Sequence, residues 1–95
     1  MTPDQDAILR LAIEHYGPEN QHQIAVGECG EFLTLLGRKA QGRLTAGEMR
    51  DEIADVLIIM RQMAMIYGLD RIEDRIQGKL ERLQGRIEKE KALPA

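Results

Sequence analysis

The sequence contains no tryptophan, one phenylalanine, two tyrosines and a single cysteine, Cys29. Aromatics make up 3% of its 95 residues, and no segment alternates apolar and polar positions as a half-buried strand would. A lone cysteine cannot close a disulfide within the chain, and no basic and apolar leader precedes the first helical segment, so a reduced, cytoplasmic setting is expected. Long apolar runs are missing as well. The densest, Val56 to Met60, falls far short of the roughly 20 apolar residues that span a bilayer, which argues for a soluble protein without a membrane partner. There is also no excess of positive charge. A net charge of −3 and a pI near 5.4 argue against a surface built to coat nucleic acid.

What is abundant is the vocabulary of helices: Ala, Leu, Ile, Met, Glu, Arg and Gln. The expected fold is all-α, a single domain of four helices over residues 1–95. Thr2-Pro3-Asp4 starts the first helix, with Pro near its first turn, and "YGPEN" (Tyr16 to Asn20) combines a stop with a restart. A second helix is expected from about Glu19 to Leu36. "GRKAQGRLTAGE" (Gly37 to Glu48) reads as a Gly-rich connection ending in Thr45, an N-cap with Glu48 three residues on, as in a capping box. The third helix should run from about Ala46 to Tyr67. "YGLD" breaks it at Gly68, with Asp70 a candidate cap for a last helix reaching about Lys91. A domain this short buries only about two-thirds of its unfolded surface, so added stability from a metal or from oligomerisation is expected.

Two carboxylate pairs stand out. Around the second helix, Ile24, Phe32 and Leu35 fall within about 40° of Glu28, and Glu31 about 60° away, so both glutamates lie in the apolar arc. Cys29, about 100° round, reads as core. The third helix repeats the pattern: Glu52 and Asp55 are three apart and share a stripe with Ile59, Ile66 and Glu48. A single such pair is ordinarily a solvated edge. Two pairs on successive helices, each among core positions, would be strongly destabilising unless a cation sat between them. Protein cations could serve, but four hard oxygen donors suit Mg²⁺ or Mn²⁺.

Glu28-Cys-Gly-Glu31 followed by Glu52-Ile-Ala-Asp55 resembles the ExxE…ExxD signature of the MazG-like, all-α nucleoside triphosphate pyrophosphohydrolases. The resemblance covers about residues 14 to 87. It extends to Gln23 upstream of the first pair, the break in "MAMIYGLD", and the lysine and arginines of "KLERLQGR" (Lys79 to Arg86). It departs at Gly27, where the family often has a further glutamate. The resemblance implies hydrolysis of a nucleoside triphosphate to the monophosphate and pyrophosphate, with Mg²⁺ held by Glu28, Glu31, Glu52 and Asp55. It also implies a helical bundle completed as a homodimer or a dimer of dimers.

Hydrolysis at the α-phosphorus needs charge neutralisation, a positioned water and a stabilised leaving group. Glu31 and Glu52 are the expected catalytic carboxylates, Glu31 in a mixed role of metal ligand and water-orienting group; Glu48 is an alternative for the water. On the last helix Leu69, Ile72, Ile76, Leu80, Leu83 and Ile87 form one stripe, and five cations from Arg71 to Arg86 lie along one flank of it. Lys79 and Arg82 are the expected phosphate ligands, and Gln23 and His22 the candidates for base contact. Neither His15 nor His22 has a glutamate three residues before it, which disfavours a di-iron bundle site. The third helix is apolar nearly all round, with Leu57, Ile58, Met60 and Met63 spread about it, so a second chain is expected to cover it. The competing reading is a non-catalytic helical oligomerisation or regulatory module whose acids pair with a neighbouring helix; a nucleic-acid binder using the last helix is a third.

Overall fold

The computed structural model describes residues 1–94 and contains, among them, four α-helices and no strand: α1 Pro3–Tyr16, α2 Pro18–Ala40, α3 Ala46–Tyr67 and α4 Leu69–Ala92. No helix among the described residues is long and apolar enough to cross a membrane. Two of the three connections are single glycines. Gly17 (φ 86°) and Gly68 (φ 106°) each end one helix and begin the next, at backbone angles that a Cβ would strain. Both capping boxes are complete. Thr2 pairs with Gln5 at the head of α1, and Thr45 pairs with Glu48 at the head of α3. At α4 the start is instead set by Gly68, with no side-chain cap, so Asp70 lies inside the first turn rather than capping it.

α2 runs four residues past the expected end at Leu36. Gly37 stays helical because an interior glycine costs only about 1 kcal/mol and Arg38, Lys39 and Ala40 are good helix formers. The stop comes at Gly42 (φ 70°). There the Arg43 amide donates to the Arg38 carbonyl (2.9 Å) and the Gly42 amide to that of Lys39 (3.0 Å), a Schellman closure that satisfies the last carbonyls.

α3 is the centre of the fold: it packs most extensively on α2 and also touches α1 and α4. α2 meets it through Gln21, Ala25, Glu28, Phe32 and Leu35, a stripe at spacings of three and four. Among the described residues the buried apolar side chains are Leu9, Ala25 and Ile59, and they share the interior with Gln21, Glu52 and Gln62. Arg61 of α3 fastens the outer helices, donating to both carboxylate oxygens of Asp6 on α1 (2.8 and 3.0 Å) and lying 3.5 Å from Glu73 on α4. The guanidinium holds the Asp6 carboxyl below its ordinary range.

The shape is open. The radius of gyration is 17.1 Å, where a compact chain of this length would have about 12 Å. The accessible surface is 7549 Å², against about 5,500 Å² for a compact monomer of 10.8 kDa. The surplus, about 2,000 Å², carries much apolar surface. Leu57 and Ile58 of α3 are exposed, so the single chain does not bury α3 all round, and the α4 stripe from Ile76 to Ile87 is uncovered.

Candidate metal centre

The α2/α3 contact brings the two halves of the acidic pattern together. One carboxylate oxygen each from Glu28, Glu31 and Glu52 lie within 4.8 Å of one another. Glu52 is 7% exposed, Glu28 is half-buried and Glu31 faces solvent at the mouth. The depth follows from the helix geometry. Glu28 lies on the α2 stripe that meets α3, and Glu52 lies one helical turn below Val56 on the α3 face that meets α2.

Two of these carboxylates each carry a buried oxygen without a hydrogen-bond partner, Glu28 Oε2 and Glu52 Oε1. Orphaned buried acceptors are rare and costly, the more so on carboxylates. The Glu28 carboxyl is pushed up to about 7, first by burial, then by the facing Glu52 carboxylate, then by the charges of Glu31 and Asp55. Sharing one proton is how two facing carboxylates relieve their repulsion; a cation between them is the other way. No Lys or Arg forms an ion pair with any of the three among the described residues, where the ion pairs are Arg38–Glu48, Arg61–Asp6 and Arg61–Glu73.

The donor set fits a hard divalent cation. It is all oxygen and acidic, and two of its three carboxylates carry a buried oxygen with no hydrogen-bond partner; Zn²⁺ would ordinarily be met by nitrogen or sulfur. Cys29, next in sequence, is exposed rather than core and stands outside the cluster.

The other expected site residues are placed less uniformly. Asp55 is exposed and lies outside the 4.8 Å cluster, although its charge reaches Glu28. Glu48 caps α3 through the Thr45 amide and hydroxyl and lies 3.9 Å from Arg38, so it is engaged elsewhere. Lys79 and Arg82 line a shallow cleft of about 250 Å³ with Arg75 and Gly78, all on α4. No α2 or α3 side chain joins them there. Gln23 is exposed. His22 is tied at both ring nitrogens: Nδ1 lies 2.7 Å from the Pro18 carbonyl, which can only accept, so in the neutral ring Nε2 accepts from the Tyr67 hydroxyl at 2.8 Å.

Sequence reasoning passed over a second buried polar pair on the same two helices. The Gln21 amide donates to Gln62 Oε1 at 2.7 Å, with both residues buried. The available signal was position: Gln21 lies two turns before Glu28 on the same stripe, and Gln62 lies one turn after Ile59.

No protein-family model matches this chain, and no curated protein or solved structure matches it significantly.

Proposed function

We propose that this protein is a Mg²⁺-dependent nucleoside triphosphate pyrophosphohydrolase of the MazG-like kind, converting a ribo- or deoxyribonucleoside triphosphate to its monophosphate and pyrophosphate. The observation that carries the reading is the cluster of Glu28, Glu31 and Glu52 carboxylates, two of them with a buried partnerless oxygen and none in an ion pair among the described residues. Glu28, Glu31 and Glu52 would hold the ion, with Asp55 adding to the negative field. When bound, Mg²⁺ supplies charge neutralisation for the polyphosphate and acidifies a water.

The chain's own part is to bind, orient and accept a proton. Glu52, the deepest of the three, anchors the site. Glu31, the exposed member of the cluster, would orient an incoming water and accept its proton as the water oxygen bonds to the α-phosphorus, a role its exposure supports. The bond from that phosphorus to the α–β bridging oxygen breaks, and pyrophosphate leaves with the electron pair. Lys79 and Arg82 are the cations for the phosphate oxygens. The uncovered surface supports a homodimer or a dimer of dimers as the working form.

The test is incubation with Mg²⁺ and a panel of nucleoside triphosphates, resolving mono- and diphosphate, beside Glu52→Gln. Monophosphate and pyrophosphate, lost in the variant, are expected. Diphosphate with inorganic phosphate, or no turnover together with no Mg²⁺-dependent rise in melting temperature, overturns the reading. In that event the exposed apolar faces of α3 and α4 favour a non-catalytic helical oligomerisation module.

A further inference from the structure

The acidic cluster has an exposed edge as well as a buried floor. On α2, Glu31 and Arg38 are seven residues apart, which places them within about 20° of each other round the helix and about 10.5 Å apart along it. On α3, Glu48 and Asp55 are also seven apart and share an edge in the same way. The two edges meet. Arg38 Nη1 lies 3.9 Å from Glu48 Oε2, so the four exposed residues Glu31, Arg38, Glu48 and Asp55 stand on one side of the α2/α3 seam. Glu48 is also one helical turn before Glu52, the deepest acid of the cluster, so the Arg38 guanidinium sits about one turn of α3 away from the floor.

The contact that keeps Arg38 there is weak. At 3.9 Å it is too long for a hydrogen bond, and the two side chains are 48% and 46% exposed, where an ion pair contributes little. Glu48 does not depend on it. Its Oε1 accepts from the Thr45 amide (3.4 Å) and hydroxyl (3.1 Å) and completes the α3 cap, leaving only Oε2 toward Arg38. The guanidinium can therefore leave Glu48 without disturbing the start of α3. A phosphate group offers it more than Glu48 does, since its oxygens accept two parallel N–H bonds from the guanidinium fork. The cleft of Arg75, Lys79 and Arg82, by contrast, is lined by α4 alone.

We propose that Arg38 is a phosphate seat at the edge of the acidic cluster, held ready by Glu48 and released from it when a ligand arrives. The seat takes the pyrophosphate end of the polyphosphate while the α-phosphate lies at the acids. This deepens the functional reading above and rests on it for the identity of the ligand; to Lys79 and Arg82 it adds a cation carried by the α2/α3 seam itself. Glu48 is the counter-charge of the empty site, and it competes with the ligand for the same guanidinium.

The test reads binding rather than turnover. Inorganic pyrophosphate is titrated calorimetrically, with and without Mg²⁺ and at low ionic strength, into wild type, Arg38→Gln, Glu48→Gln and Glu52→Gln. Arg38→Gln should weaken pyrophosphate binding by about tenfold or more, the loss expected for hydrogen bonds to a charged group. Glu48→Gln keeps an oxygen for Thr45 and so keeps the cap, but it frees the guanidinium and should tighten binding by up to about fivefold. Mn²⁺ affinity should be the same in wild type, Arg38→Gln and Glu48→Gln. A wild type that does not bind pyrophosphate, an Arg38→Gln variant that binds it as wild type does, or a Glu48→Gln variant that loses affinity alongside Arg38→Gln overturns the proposal. So does loss of Mn²⁺ binding in Arg38→Gln, which would mean that the residue holds the helices and not the ligand. Pyrophosphate binding that needs Arg38 but neither Mg²⁺ nor Glu52 would keep the seat and remove the metal reading; Mn²⁺ binding that needs Glu52, beside pyrophosphate binding indifferent to Arg38, would do the reverse.

Discussion

The α2/α3 contact carries two buried polar pairs that have been treated in opposite ways. Toward the start of α2, Gln21 and Gln62 are neutral, buried and joined amide to amide at 2.7 Å, and nearby the His22–Tyr67 hydrogen bond ties the same two helices again. Two turns along, Glu28 and Glu52 are acidic and close, each with an orphaned oxygen. A satisfied neutral pair fixes the register of two helices and asks for nothing more. An unsatisfied acidic pair on the same frame relieves its repulsion by sharing a proton or by taking up a cation, and the second is the proposal made above. The first makes the second affordable, because carboxylates held together against repulsion need a scaffold that does not slip.

The largest expected effect comes from making the second pair resemble the first. Glu52→Gln supplies an amide that can donate to Glu28, so the metal-free protein should melt higher than wild type, while the stabilisation by Mg²⁺ disappears and hydrolysis falls by more than about a hundredfold. Thermal melts with and without Mg²⁺, alongside product analysis, check both halves. A lower metal-free melting temperature would mean that the two carboxylates are not in conflict.

The converse change breaks the first pair. Gln62→Leu leaves the Gln21 amide nitrogen buried without its acceptor, while its oxygen still accepts from Asn20, and should cost about 1–3 kcal/mol in urea unfolding, whereas Gln21→Leu/Gln62→Leu should cost less than the two single changes added together. Additive losses would show that the amides act independently.

The two regions where carboxyl titration is perturbed should also respond oppositely to pH. Glu28 has a folded pKa raised to about 7 from 4.5, so its contribution is fully present below about pH 4.5 and is lost as pH rises toward and through 7 in metal-free protein. Saturating Mg²⁺, which needs the carboxylate, should flatten or reverse that slope. Asp6 has a folded pKa lowered by Arg61, so its contribution is present above the ordinary aspartate range and is lost as pH falls through the lowered value. Urea midpoints from pH 3 to 8, with Glu28→Gln and Asp6→Asn as controls, separate the two. The smallest change should come from Tyr67→Phe, which removes a solvent-exposed hydrogen bond and should shift stability by less than about 0.5 kcal/mol.

Much of this fold was legible because helices announce their ends. Thr45 with Glu48, the glycines at 17 and 68, and the extent of α3 were all read from local chemistry and are as observed. The end of α2 was not, because Gly37 and Gly42 look alike in sequence and only the second takes the left-handed angle that closes the helix. The convergence of Glu28, Glu31 and Glu52 followed from periodicity, since each wheel placed its acids toward the other helix. What periodicity could not supply was depth. It places Glu31 and Asp55 in the apolar arc, yet both are exposed, and it gives α4 a core-facing stripe that this chain leaves open. A helical wheel reports which residues share a face and is silent on what, if anything, covers it.

The central claim, that the clustered carboxylates take up a cation, is tested most directly by titrating the protein with Mn²⁺ and following the free ion by electron paramagnetic resonance. The account predicts saturable loss of the free-ion signal, competed by Mg²⁺ and abolished in Glu52→Gln. A wild type that leaves the signal unchanged at millimolar Mn²⁺, or a variant that binds as well as wild type, would contradict it.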